Sequence, residues 1–218
     1  MTIQAQPDFD RIARLYRWAE YASLGPLLER ARAHFLPELR ACRKALVLGD
    51  GDGRFLAALM AQNQAMQAVA VDTSAAMLEL LRRNCARAAQ DTEERLTLLQ
   101  TSALETRPGA GTDLVVTHFF LDCLSQAEVD VLTQVYAAVL GPGTLWVVSD
   151  FALPRAAWLR PFAAVYIRLL YFAFRLLTGL RVTQLPDAQQ ALRKAGLTQV
   201  SRREFLHGLI YTEIWRLG

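Results

Sequence analysis

The chain is poor in cysteine. It has three in 218 residues, Cys42, Cys85 and Cys123, and none stands in a CxxC or Cys/His spacing. That leaves no disulfide framework and no metal ligand set, and the thiols read as buried and reduced, as in a cytoplasmic protein. Residues Met1 to Asp8 lack a basic stretch followed by an apolar one, so no secretion signal is expected. No repeat and no low-complexity segment interrupts the chain. Charged residues make up 21% against 53% hydrophobic, which excludes a disordered chain and leaves one large globular domain, with or without an added subdomain. Acid is scarce in one region. Residues 151–218 hold 10 Lys/Arg and 3 Asp/Glu, whereas residues 1–150 hold 14 and 18. The basic part is also the most apolar, which suits an anionic amphiphile or a membrane surface. Nucleic acid is not expected as a partner, because the aromatics it would stack on lie within an apolar helix pattern.

What the chain does have is Ala45-Leu-Val-Leu-Gly-Asp-Gly-Asp-Gly53 followed by Arg54-Phe55-Leu56. Four apolar residues read as a short buried strand that runs through alternating glycines into a helix. Such a turn leaves backbone N–H groups uncovered and lets a nucleoside-bearing ligand come close. The dinucleotide fingerprint is GxGxxG. Here Gly49, Gly51 and Gly53 make GxGxG, and Arg54 occupies the place of the third dinucleotide glycine. Downstream, Val69-Ala-Val-Asp72 reads as a second strand ending in an acid. A carboxylate there can accept two hydrogen bonds from a ribose diol, or it can merely cap the helix that follows.

The GxGxG turn, together with Val71-Asp72-x-Ser74-x-x-Met77-Leu78, resembles the class I S-adenosylmethionine (SAM) methyltransferases. The resemblance implies SAM as cofactor, with Gly49, Asp50, Gly51, Gly53, Asp72, Thr73, Met77, Ser102, Ala103, Thr117 and His118 around it. Ser102 stands where the family usually has an Asp against the adenine amino group, and Val47 stands where it usually has an acid before the turn. Asp50 and Asp52 can offset the second change electrostatically. The Asn-Pro-Pro-Tyr type motif of amino-group and nucleic-acid methylases is replaced by Thr117-His118-Phe119-Phe120. That points to a small or lipidic acceptor, with O- or C-transfer ahead of N-transfer.

At the N-terminus, Asp8 to Tyr21 has the apolar spacing of an amphipathic helix, and Gly25-Pro26 opens a second helix reaching about Leu36. Phe9-Asp10-x-Ile12-Ala13-x-x-Tyr16, with Ser23-Leu24-Gly25, resembles ubiquinone/menaquinone-biosynthesis C-methyltransferases, which implies that Tyr16 lies near the active site; the same spacing also fits a core-facing helix. Beyond the turn, strands are expected at Gln67–Val71, Leu96–Gln100, Thr112–Thr117 and Thr144–Asp150. Helices are expected at Arg54–Gln62, Ser74–Gln90 and Gln126–Leu140, the last with a capping box from Ser125 and Glu128. Strict alternation means a doubly wound parallel sheet. A helix from Pro186-Asp187 to Gly196 and two pairing strands, Val200–Phe205 and Leu209–Trp215, close the chain. The expected architecture is a Rossmann-like α/β fold with a seven-stranded, mostly parallel sheet and a C-terminal antiparallel strand. In one domain, 1–218, it comprises an N-terminal helical cap (1–40), a SAM-binding core (41–150), an apolar insertion (151–185) and a C-terminal helix with its strand pair (186–218).

Pro154 to Leu177 is nearly continuous apolar sequence, with Arg160, Arg168 and Arg175 as one narrow polar stripe. The apolar residues of 161–180 contribute roughly −3 to −6 kcal/mol to membrane insertion and the two central arginines cost about +5 to +7. A transmembrane span is therefore not expected. A lid, a peripheral membrane contact through 154–178, or a core helix with snorkelling arginines remain. For the chemistry, His118 at the end of the fourth strand is the candidate general base, with Asp122 placed to orient it if a turn intervenes, and Tyr16 is a third candidate. The sequence reads as a methyltransferase acting on a hydrophobic small molecule such as a quinone, phenol or lipid, in a cytoplasmic protein that can be membrane-peripheral and dimeric. A non-catalytic relative of the fold that binds a membrane or partner is the alternative. An NAD-dependent oxidoreductase is disfavoured by Arg54 and by the lack of a second nucleotide-binding half.

Overall fold

A computed structural model of the chain describes residues 24–178 and 184–218. Tyr16 and the expected first helix lie outside the described residues. Seven strands form one sheet: β1 (Lys44–Leu48), β2 (Gln67–Asp72), β3 (Leu96–Gln100), β4 (Leu114–His118), β5 (Leu145–Phe151), β6 (Leu197–Phe205) and β7 (Ile210–Leu217), in the order β3-β2-β1-β4-β5-β7-β6. The pairs β1/β2, β1/β4, β2/β3 and β4/β5 are parallel, while β7 runs antiparallel to both β5 and β6. The order reverses between β1 and β4, so the carboxyl ends of these two strands flank the crevice where such sheets take ligands.

Helices cover both faces: α1 (Gly25–Ala33), α2 (Arg54–Gln62), α3 (Ala75–Ala88), α4 (Thr92–Arg95), α5 (Gln126–Ala137), α6 (Arg160–Thr178) and α7 (Ala188–Lys194). On one face, Ala45 and Val47 of β1 and Val116 of β4 bury Phe55, Leu56, Leu59 and Met60 of α2. On the other, Leu46, Leu48, Val115 and Trp146 pack with Val129, Leu132 and Tyr136 of α5 and Leu192 of α7. The alternation along each strand thus feeds two cores, as expected for a sheet covered on both sides.

Local chemistry sets the ends of these elements. Ser74 caps α3 by accepting from Met77 N, and Ser125 and Glu128 close the capping box of α5. Asp187 accepts from Gln190 N to cap α7, and Gly196 follows that helix at φ 89°.

Several boundaries differ from the sequence reading. The second N-terminal helix stops at Ala33, and Leu36–Leu39 forms a separate 3-10 turn whose first turn holds Pro37. Between the helix expected at Ser74–Gln90 and the strand at Leu96–Gln100, Thr92–Arg95 forms a helical turn. The insertion helix begins at Arg160, because residues 154–159 form the turns that lead into it. Four strands (β1, β2, β6 and β7) are longer than expected by one or more residues; β6 starts at Leu197 because it pairs with the whole length of β7.

Candidate functional site

The glycine turn is built by backbone sterics. Gly49, Gly51 and Gly53 have φ of 61°, 60° and 77°, a region that residues with a Cβ rarely adopt. Two of the three also lack a side chain because the protein itself fills the space. A Cβ on Gly49 would lie 2.4 Å from Phe120 Cδ2, and one on Gly53 would lie 2.7 Å from Leu81 Cα on α3. Gly49 N donates to Val71 O, which fixes the turn beside the end of β2.

Asp50 lies inside the turn and is buried. Its Oδ2 accepts from Leu56 N at 3.0 Å, capping the start of α2. Its Oδ1 is buried with no hydrogen-bond partner among the described residues. Burial pushes the Asp50 carboxyl up to about 7, against the pull of the Leu56 N–H and of Arg32. Arg32, on α1, is itself buried, and its guanidinium lies 5.1 Å over the Phe119 ring. Sequence reasoning missed Arg32, since a basic residue on a helix reads as a surface charge until the fold buries it. Asp52 pairs with Arg54 at 2.9 Å.

Asp72 ends β2, half-buried, and its Oδ1 accepts from Ser74 N at 2.9 Å. The backbone beyond β3 joins it there, since Thr101 N donates to Asp72 O. Ser102 and Ala103 follow; Ser102 Oγ accepts from Leu104 N, and Ala103 O accepts from the Tyr136 hydroxyl at 2.8 Å. Thr73 is half-buried next to Asp72. Met77 is in the core, and the buried Thr117 hydroxyl accepts from the Trp146 indole on the α5 face of the sheet. The carboxyl ends of β3, β2, β1 and β4 therefore carry Ser102, Asp72, the Gly49 turn and His118 in spatial order, with Met77 and Thr117 packed beneath.

His118 faces the α2 side. It is 2% exposed, its Nδ1 lies 2.8 Å from Ser149 Oγ, and Ser149 Oγ lies 2.8 Å from Thr212 Oγ1. With Ser149 donating to Thr212, the Ser149 oxygen accepts the Nδ1 proton and Nε2 carries the lone pair. Nε2 has no partner among the described residues, and the ring meets Phe55 edge-on at 4.4 Å. Burial, with the charge of Arg32, holds the imidazole well below its usual range, so it is neutral. Asp122, expected to orient His118, is engaged elsewhere. Its backbone N–H donates to Asp150 Oδ2 at 3.1 Å, and its Oδ1 accepts from the Cys123 thiol. Burial lifts both carboxyls, and the charge of Asp122 lifts Asp150 further. The Tyr171 hydroxyl of α6 donates to Asp122 O, closing the insertion helix over the loop after β4. That loop is strained, since Phe119 has φ 52°, an outlier for an aromatic residue.

A family of stated chemistry matches this region. Residues 46–145 match the family described as "Methyltransferase domain". The methyltransferase match spans β1 through the start of β5, and so contains the glycine turn, Asp72, Ser102 and His118. No curated protein matches the sequence. Among solved structures, an S-adenosylmethionine-dependent methyltransferase, SibL, aligns with TM-score 0.69 at 19% identity over 99% of this chain and 63% of its own. An O-methyltransferase family protein from Burkholderia thailandensis aligns with TM-score 0.73 at 14% identity over 98% of this chain and 64% of its own. The N-methyltransferase NodS from Bradyrhizobium japonicum WM9 aligns with TM-score 0.59 at 16% identity over 88% of this chain and 97% of its own. The chain thus has the class I SAM-methyltransferase fold, and it spans less than two thirds of the first two of these structures. No described helix is long and apolar enough to cross a membrane, and no group of metal-ligating side chains occurs among the described residues.

Proposed function

We propose that this protein is a SAM-dependent methyltransferase that moves a methyl group to an oxygen or carbon of a hydrophobic small molecule. The observation that carries the reading is the methyltransferase match over residues 46–145, with the glycine turn and Asp72 at the carboxyl ends of adjacent parallel strands inside it. The residues present fit SAM. Asp50 Oδ1 is a buried carboxylate oxygen in want of a donor, which suits the α-ammonium, and Arg32 nearby supplies a cation for the carboxylate. Asp72 would take the ribose diol, with Thr73 beside it, and Ser102 and Ala103 would lie toward adenine.

When bound, SAM supplies a methyl on a sulfonium and with it the activation for in-line displacement. The chain's own part is alignment, exclusion of water and the handling of one proton. His118 stays neutral and presents Nε2 as the proton acceptor, held in that tautomer by Ser149. Burial pushes the carboxyls of the Asp122–Asp150 pair toward their neutral forms, which limits negative charge beside the acceptor. Tyr171 and the apolar α6 close the acceptor side, which suits a phenol, quinol or lipid-like molecule. Likeness to O-methyltransferases supports O-transfer; the N-terminal resemblance to quinone C-methyltransferases supports a quinone-like acceptor. Incubation with methyl-tritiated SAM and a panel of hydrophobic phenols and quinols should give label extractable into organic solvent. Label absent from every acceptor, with SAM binding intact, would refute the catalytic reading.

A further inference from the structure

The helix α6 has two apolar faces, and among the described residues only one is packed. Ala163, Ile167 and Tyr171 are buried against Leu28 and Ala31 of α1 and against Phe151 and Ile210 of the sheet. Trp158, in the turn leading into the helix, and Phe162, Val165, Leu169 and Phe172 along it are exposed by 71%, 71%, 55%, 63% and 59%. Their spacing of 4, 3, 4 and 3 residues puts them on one stripe. An exposed row of large apolar side chains marks a docking surface.

Charge decides what it docks. Residues 151–186 contain five arginines, at 155, 160, 168, 175 and 181, and no aspartate or glutamate. Arg155, Arg160 and Arg168 are exposed. Pairing two copies of the stripe would set arginines against arginines with no acid in the segment to offset them. An anionic surface is complementary. An apolar stripe with a tryptophan and two phenylalanines, bordered by arginines, on a helix that cannot cross a bilayer, has the make-up of an interfacial helix.

We propose that the exposed stripe of α6 docks this protein on the surface of an anionic phospholipid bilayer. Phe162, Val165, Leu169 and Phe172 enter the acyl boundary, Trp158 sits at headgroup level, and Arg168 and its neighbours meet the lipid phosphates. The opposite face of the same helix closes the loop after β4 through Tyr171 and Asp122, so docking sets that end of the sheet toward the bilayer. The surface stands whether or not the catalytic reading does, because none of its residues is in the proposed cofactor site.

The test is co-sedimentation of the full chain with vesicles of phosphatidylcholine and phosphatidylglycerol at 70:30 and with vesicles of phosphatidylcholine alone. Wild type should pellet with the mixed vesicles and at least fivefold less with the neutral ones. The double variant Phe162→Ser/Leu169→Ser should lower partitioning at least tenfold while melting within a few degrees of wild type, since both side chains are exposed. Arg168→Gln should lower partitioning about fivefold on mixed vesicles, the scale of one arginine near an anionic surface, and little on neutral ones. Wild type left in the supernatant with mixed vesicles overturns the proposal. So does a dimer in sedimentation equilibrium that the double variant dissolves, which would make a second copy the occupant. A double variant that melts far below wild type without losing vesicle binding also overturns it, because the stripe would then be packed within the protein and not on the bilayer.

Discussion

Replacing Asp50 with Asn separates what the glycine turn costs the fold from what it gives the ligand. In the folded protein the Asp50 carboxyl titrates at about 7, against 3.8 for the unperturbed group. The folded state therefore holds the proton more tightly than the unfolded state. The stability drawn from that proton is full below about pH 4 and is lost as pH rises toward about 7. At about 1.4 kcal/mol per pH unit, the penalty is roughly 1–2 kcal/mol at pH 5 and roughly 4 kcal/mol at pH 8. Asn keeps the acceptor for Leu56 N and cannot ionise. Asp50→Asn should thus be close to wild type in stability near pH 4 and more stable by up to about 4 kcal/mol at pH 8, measured by urea unfolding across that range. SAM affinity should move the other way. Wild type should bind about tenfold more weakly at pH 6 than at pH 8 as Asp50 takes up its proton, and the Asn variant should bind weakly at both. A variant less stable than wild type at pH 8, or a gap that does not widen with pH, would refute the reasoning.

Other perturbations test the surrounding structure. Arg202→Met should cost about 3–5 kcal/mol in denaturant unfolding, because it strands Glu213, which is fully buried and hydrogen-bonded to Arg202, Gln189 and the Trp215 indole; a loss under 1 kcal/mol would show the carboxyl protonated instead. Gly53→Ala should destabilise by at least about 2 kcal/mol, since the new Cβ meets Leu81 backbone at 2.7 Å and φ is 77°. At saturating SAM, turnover should not fall as pH drops through 6.5, because burial keeps His118 neutral there; a break at 6.5 that persists at saturating SAM and that His118→Asn abolishes would give His118 an ordinary, solvated titration. His118→Ala should cut turnover far more than SAM affinity if Nε2 accepts the proton, whereas equal losses would make it a cofactor neighbour.

The sheet was legible because its information is local. Ala45–Leu48 and Val69–Val71 are apolar runs of strand length, the glycines punctuate them, and the Ser125/Glu128 box announces α5 from four residues. Strand order was legible only by resemblance, since nothing in Leu209–Trp215 states that it slips between β5 and β6. Side-chain partners at the site were mostly not legible, because they join residues far apart in the chain. Asp122 and His118 are four residues apart and suggested each other, yet Asp150 and Ser149, about thirty residues on, take them separately. Gly49 and Gly53 read as ligand-facing, but Phe120 and Leu81 occupy the space each leaves. Burial of Arg32 depends on α1 packing over Phe119, which no spacing encodes.

Calorimetric titration of S-adenosylhomocysteine into wild type and Asp72→Ala at pH 7.5 tests the central claim most directly. Wild type should bind one equivalent, and Asp72→Ala should bind about 1.5–3 kcal/mol more weakly, the range for hydrogen bonds to a charged group. No heat with wild type, or equal affinity in the two proteins, would contradict a nucleoside lying along the carboxyl ends of β1 and β2.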